Sequence, residues 1–304
     1  MIKSLLKKPD NLLVLSIFRC LVGFHLLKKI ILWWPNLGLL LSTDSFVVID
    51  ESTRFMPIEW INYFSNNYRL LIMFHVCLIV FFIAGIGKNY TTFLLYLTVE
   101  IIQRISGGLI LNGGDNFLKF ALLYLSFCNC YDYFVWSKSE SKTSKLNWLK
   151  NLLTNVFSKS IVIHLCIIYF IAGFSKVNAD VWYNGVATHY IFQLERFNSG
   201  ILSDFIISSP YLVLTTTYFT ILWELFFPIV LFNKKFRIPM LIAGLLLHLG
   251  IYFMMMINDF ALLFMFAYLL FFNDREIKLF ADKIISPIQT FLKHGKKRLS
   301  NESN

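Results

Sequence analysis

The sequence predicts an all-α, polytopic integral membrane protein, a bundle of about eight transmembrane helices with no soluble domain. Three observations carry that expectation. The 304 residues are 57% hydrophobic and 17% aromatic but only 15% charged, whereas in soluble domains about a quarter of residues are charged. The apolar residues gather in runs of roughly 20, the number that crosses about 30 Å of hydrocarbon as a helix. The Lys and Arg residues sit mainly in the gaps between those runs, so the formal charge of +10 reads as topology signalling and not as a nucleic-acid surface.

In chain order, spans are expected at about 12–34, 69–87, 92–111, 117–135, 158–175, 211–232, 238–257 and 259–272. The first follows a basic start at Lys3, Lys7 and Lys8, contains Arg19 and lacks a small-residue cleavage site. It therefore reads as a retained span and not as a signal peptide. The eighth is short, and the segments around Asn258 and Asp259 could instead form one broken hairpin. Between the fifth and sixth spans, Trp182 to Phe197 mixes apolar and polar residues too evenly to cross, and is expected to lie as a helix at the interface. Residues 1–272 form the membrane domain, and 273–304 a basic amphipathic tail near the cytoplasmic lipid surface. Cys20, Cys77, Cys128, Cys130 and Cys166 fall inside or at the ends of apolar runs, where a thiol is a small hydrophobe, so neither a disulfide framework nor a metal spacing is visible.

Orientation follows from the cations in alternate gaps, because positively charged loops stay in the cytoplasm. Nineteen Lys and Arg fall in one set of gaps, against only Arg54, Arg69, Lys176 and Arg196 in the other. Both termini are therefore expected in the cytoplasm, with the protein in a bacterial inner membrane. The loops at 35–68, 112–116, 176–210 and 258–259 then emerge outside, carrying Asp44, Asp50, Glu51, Glu59, Asp115, Asp180, Glu195, Asp204 and Asp259. Long loops are where binding and catalytic groups usually sit, so any chemistry is expected on that acidic outer face.

A charge at the centre of an apolar span costs about 2.5–3.5 kcal/mol on insertion scales and needs a partner. Arg19, Glu100, Arg104, Lys119 and Glu224 are in that position. Glu100 and Arg104 are four apart, on one helical face at pairing distance. Arg19 lacks a local partner, and charge balance makes Glu224 its expected counter-ion. His25, His75, His164 and His248 also fall within spans, where imidazole either packs with a hydrogen bond or carries protons.

Two stretches resemble a known family. One is Asn112-Gly113-Gly114-Asp115-Asn116-Phe117, heading a span that ends in Leu123-Tyr124-Leu125-Ser126-Phe127. The other runs from Tyr169 through Ala172-Gly173-Phe174-Ser175-Lys176-Val177-Asn178-Ala179-Asp180 to Trp182-Tyr183-Asn184-Gly185-Val186-Ala187. With Phe18-Arg19, Trp223-Glu224, Pro228 and His248, they resemble the HTTM (horizontally transferred transmembrane) family. That superfamily includes the vitamin K-dependent gamma-carboxylase and the bacterial sporulation-delaying protein B group. The resemblance spans about Asn11 to Phe272.

It implies that Lys176 occupies the place of the lysine that deprotonates vitamin K hydroquinone in the carboxylase. Where the carboxylase has Asn-Asn-His, this chain has Gly113-Gly114-Asp115, and the carboxylase's large lumenal domain is missing. The shorter bacterial members, some associated with maturation of secreted peptide toxins, are the nearer likeness.

Three functions from different classes follow. One is a membrane enzyme on a quinol such as vitamin K hydroquinone. In it Lys176 is the base, Asp115, expected within about 6 Å of it, and Asp180 orient it or relay protons, and His248 contributes from the cavity wall. Asn112, Trp182, Asn184, Gly185, Arg19 and Glu224 then form the substrate-binding set. The second is a factor for maturation or export of a secreted peptide, held by the acidic face and the Trp182–Phe197 segment. The third, a transporter, is disfavoured because the halves show no repeat-like symmetry. Neither a nucleotide loop, a metal-ligand spacing nor a nucleophile elbow is present in the sequence.

Overall fold

Each of the eight apolar runs folds as a helix in the computed structural model, which describes residues 5–43, 45, 56–106, 112–136, 146–230 and 233–283. Asp44, Asp50, Glu51 and Arg54 of the first long loop, and the tail beyond residue 283, lie outside the described residues. The chain order is α1 Leu12–Trp33, α2 Leu37–Leu41, α3 Ile58–Asn66, α4 Tyr68–Ala84, α5 Lys88–Ile105, α6 Gly113–Leu125 and α7 Asn147–Val177. There follow α8 Asp180–Tyr183, α9 Ala187–Gln193, α10 Ile201–Ile207, α11 Pro210–Val230, α12 Lys234–Met254 and α13 Asn258–Ala267, which continues as a 3-10 turn over Tyr268–Phe271. Among the described residues there is no strand.

By length and composition, α7, α11 and α12 can each cross a membrane, and a fourth crossing results if α3 and α4, bent by 81° at their junction, count as one. The other helices at expected spans fall short for identifiable reasons. α1 carries Arg19, Lys28 and Lys29, and α5 carries Lys88, Glu100 and Arg104. α4, α6 and α13 have 17, 13 and 10 residues. The span expected to reach residue 135 stops at Leu125, and that expected at 158–175 starts a dozen residues earlier, at Asn147. Only 17% of the apolar α12 window is buried inside the protein, with Ile242, Leu246 and Phe253 exposed. A helix surface so apolar and so little covered requires lipid or a partner against it.

The helices form two groups. α1, α4, α5, α6 and α13 pack together, α7 pairs most extensively with α11, and α12 joins α11 to α13. The α6–α7 and α12–α13 contacts connect the groups. At one end of the bundle α1 starts and α4 and α6 finish. There the α1 amides of Leu13 and Val14 donate to Asp274 at 2.9–3.1 Å, which satisfies orphan donors of the first turn. Residues 273–283 therefore begin as a docked element. Their helix is opened by a capping box in which the Asn273 amide donates to Glu276 Oε2 (2.9 Å) and the Glu276 amide to Asn273 Oδ1 (2.9 Å).

Arg19, fully buried, corrects an expectation. Its partner is not Glu224 but backbone: Nε donates to Cys130 O (3.0 Å), Nη1 to Phe82 O and Ile83 O (2.9 Å), and Nη2 to Tyr133 O (3.2 Å) and Phe134 O (2.6 Å). Phe82 and Ile83 lie in the last turn of α4, where carbonyls lack helical partners and the dipole is negative. The guanidinium also faces the Tyr131 ring at 4.8 Å. This clamp folds the segment after α6 back onto α1 and α4, and removes Arg19 from the substrate-binding set. The Glu100–Arg104 pair forms as expected at 2.6 Å, and Lys119 on α6 joins Glu100 at 2.9 Å.

Arg19→Met removes the guanidinium that five backbone carbonyls, from buried to partly buried, share as donor. It should lower stability by on the order of 3 kcal/mol or more, read as a fall in the midpoint of thermal unfolding in detergent. Arg19→Lys should recover only part of the loss, because one ammonium lacks the planar fork that reaches both segments.

Candidate functional site

The distinguishing side chains collect at the far end of the bundle, where α1 and α7 finish and α6 and α13 begin. α7 runs antiparallel to α11, and Tyr169, Gly173 and Lys176 recur at helical spacing on the α7 face that meets it. Gly173 permits the approach. A Cβ there would stand 3.0 Å from the Leu225 amide nitrogen and 3.1 Å from Glu224 Cβ, the close contact that small residues allow between membrane helices.

One turn on, Lys176 Nζ donates to both oxygens of Glu224, at 2.8 and 2.6 Å. The side chains are 21% and 11% exposed, so the pair is largely withdrawn from solvent. Trp182 covers it, with its ring 5.1 Å from the ammonium. The expected Lys176–Asp115 partnership is therefore replaced by Lys176–Glu224.

The sequence after α7 expected to form one interfacial helix forms short pieces, α8, α9 and a 3-10 turn at Glu195–Phe197. Gly185 is the reason for the first break. Its φ of +74° closes α8, with the Gly185 amide donating to Trp182 O (3.1 Å) and the Val186 amide to Val181 O (3.0 Å), the pattern of a Schellman cap. Gly185 is buried against Leu214 and Tyr218 of α11, and the Tyr218 hydroxyl donates to Tyr183 O at 2.7 Å. Gly185 thus sets the position of Trp182 without offering a ligand contact. Asp180 and Asn184 are exposed on α8. The Asp180 side chain has no partner among the described residues.

His248 lies deeper and is buried. Its Nε2 and the Tyr169 hydroxyl are 2.7 Å apart, and the Tyr169 and Tyr268 hydroxyls 2.9 Å. The His248 ring stacks on Phe264 at 5.4 Å and 11°, and Trp223, the neighbour of Glu224, stands edge-on to it at 6.3 Å. His248 is thus one member of an aromatic layer beneath the ion pair. Its Nδ1 is buried without a partner among the described residues. Tyr169 and Tyr268, which hold His248, were not legible as site residues, since tyrosines in apolar runs are common packing groups.

Asn112 and Asp115 are built into the start of α6. The Asn112 side chain accepts from the amides of Gly114 (2.8 Å) and Asp115 (3.2 Å), and Asp115 Oδ2 accepts from the Asn112 amide (3.1 Å). This is a capping box, and it consumes the Asn112 side chain. The other oxygen of Asp115 pairs with Lys29. Lys28 pairs with Asp259 at 2.9 Å. The sequence held the signal for these two lysines, which are charges inside the first apolar run and so need anions.

No protein-family model, no curated protein and no solved structure matches this chain. The site's meaning therefore rests on its chemistry. Two charges in an apolar seam present a shielded cation and anion to a polar ligand.

The pair's energetic role is measurable in a double-mutant cycle. Lys176→Met and Glu224→Gln should each destabilise the protein, with a coupling energy of about 1–3 kcal/mol between them. Gly173→Val should weaken that coupling by forcing α7 away from α11.

Proposed function

We propose that this chain is a multi-pass inner-membrane protein of the HTTM kind, with eight crossings and both termini in the cytoplasm. In this reading it acts at its outer face in the modification or maturation of a secreted peptide. The observation that carries the reading is the Lys176–Glu224 pair, held at 2.6 Å between two helices apolar enough to span a bilayer. Such a pair costs desolvation that well-packed apolar residues would avoid. Its Lys176 belongs to the Ala-Gly-x-x-Lys-x-x-Ala-Asp stretch from Ala172 to Asp180 on which the resemblance rests, and faces the ring of Trp182, with Asp180 and Asn184 exposed nearby in sequence. Those residues form the face offered to a peptide arriving from outside.

A second reading is a quinol-using enzyme with Lys176 as base. The residues do not fit a quinol at Lys176 in this arrangement, because its ammonium is taken up by both Glu224 oxygens and the face of Trp182. The apolar groove of about 380 Å³ on the same helix pair, lined by Ile163, Cys166, Ile167, Phe170, Pro228 and Ile229, suits an acyl or isoprenoid chain but supplies no strong base.

The test compares secreted peptides, by mass spectrometry, from cells carrying the wild type, Lys176→Met, the reversed pair Lys176→Glu with Glu224→Lys, or no copy. A peptide whose mass changes with the wild type alone is the expected result. One whose abundance changes at constant mass would assign export without chemistry. Identical profiles in all four strains would remove the reading.

A further inference from the structure

A second polar cluster stands apart from the Lys176–Glu224 pair, inside the group of helices formed by α1, α4, α5, α6 and α13. Lys29 and Asp115 pair there with side chains only 7% and 4% exposed, and the Lys29 ammonium lies 4.6 Å from the Trp33 ring. Next to them is a cavity of about 30 Å³ whose wall includes Lys29, Asp115, His75 and Gln103 together with apolar Ile102 and Leu118. About 10–15 Å³ of such volume suffices for one water molecule, provided two to four polar groups face it. The space is thus right for one or two waters and too small for an organic substrate.

The lining chemistry selects the same occupant. Gln103 Oε1 is buried without a hydrogen-bond partner among the described residues, while its Nε2 donates to Asp115 O at 3.2 Å. A buried acceptor left bare costs about 1–3 kcal/mol. His75 shares a 2.7 Å bond with Thr98 through Nδ1, which leaves Nε2 as its remaining polar atom. The ion pairs Lys29–Asp115 and Lys28–Asp259 balance, two cations against two carboxylates. No net charge is left to draw in an ion. A small neutral molecule that both donates and accepts is what these walls match.

We infer that this cavity is a hydration site, holding one or two water molecules that donate to Gln103 Oε1 and connect it with the Lys29–Asp115 pair and His75. The waters extend hydrogen bonding from the Lys29–Asp115 pair to His75 in the middle of α4, and supply polar contacts to a buried ion pair in an apolar bundle.

Radiolytic hydroxyl-radical labelling of the full chain in lipid nanodiscs tests the inference, because radicals formed from bound water oxidise the side chains next to it. Ile102 and Leu118, 5% and 1% exposed, should be oxidised several-fold faster than the fully buried Leu15 and Leu95. Equal rates at all four positions would overturn the hydration site in the wild type alone. Gln103→Leu removes the bare acceptor and puts apolar surface in its place. With the melting midpoint retained, labelling at Ile102 and Leu118 should fall to the level of Leu15, and undiminished labelling in that folded variant would also overturn it.

Discussion

A charged side chain inside an apolar helix has to find its counter-charge or its acceptors within the protein, because the surroundings supply none. That requirement shapes the bundle from end to end. Arg19 gathers five backbone carbonyls from two segments. Glu100 serves both Arg104 and Lys119, and Lys28, Lys29 and Lys176 each take a carboxylate from a different helix. Except for the local Glu100–Arg104 pair, every one of these links joins elements distant in sequence. A buried pair adds little net stability over apolar packing, yet loss of one partner costs about 3–5 kcal/mol. The charges therefore act chiefly on which helix packs beside which.

The same logic explains why the functional residues stand in layers. On the α7–α11 seam, the ion pair occupies the outermost layer and the Tyr169–His248–Tyr268 hydrogen bonds the layer beneath, with Trp223 and Phe227 between helices. The Tyr169 hydroxyl bonds α12 and the turn after α13 while its ring packs on Trp223 and Phe227 of α11, so one side chain ties three elements to α7. In the other helix group the charges are paired around Lys29 and Asp115, and the two clusters use separate partners.

Much of this was legible beforehand, and the exceptions share a cause. Apolar runs gave the helices, although the one expected at 117–135 stops at Leu125 and the one expected at 158–175 begins at Asn147, and the i,i+4 spacing gave Glu100–Arg104. Lys176 stood out through its motif, but its partner did not. Charge balance pointed from Arg19 to Glu224, and backbone carbonyls, which carry no mark in a sequence, took Arg19 instead. Glu224 was thereby left for Lys176. Lys28 and Lys29 also lie inside the first apolar run, yet the expected intramembrane charges did not include them, and the choice of Asp259 and Asp115 depended on α6 and α13 both beginning at the end where α1 finishes.

By itself, the amino-acid sequence determined the class of protein: all-helical, with apolar segments able to meet lipid and cations concentrated in alternate gaps. These properties follow from composition and from local periodicity, which act over a few turns of chain. Tertiary structure decided which charge meets which, that the stretch after Lys176 breaks into short helices under Trp182, and that Asp115 and Lys176 belong to different clusters. The charge pairings depend on contacts between residues 48 to 231 positions apart. Only the packing of whole helices brings such groups within 3 Å, and a buried charge satisfied there is no longer free to serve the partner its sequence neighbours would have suggested.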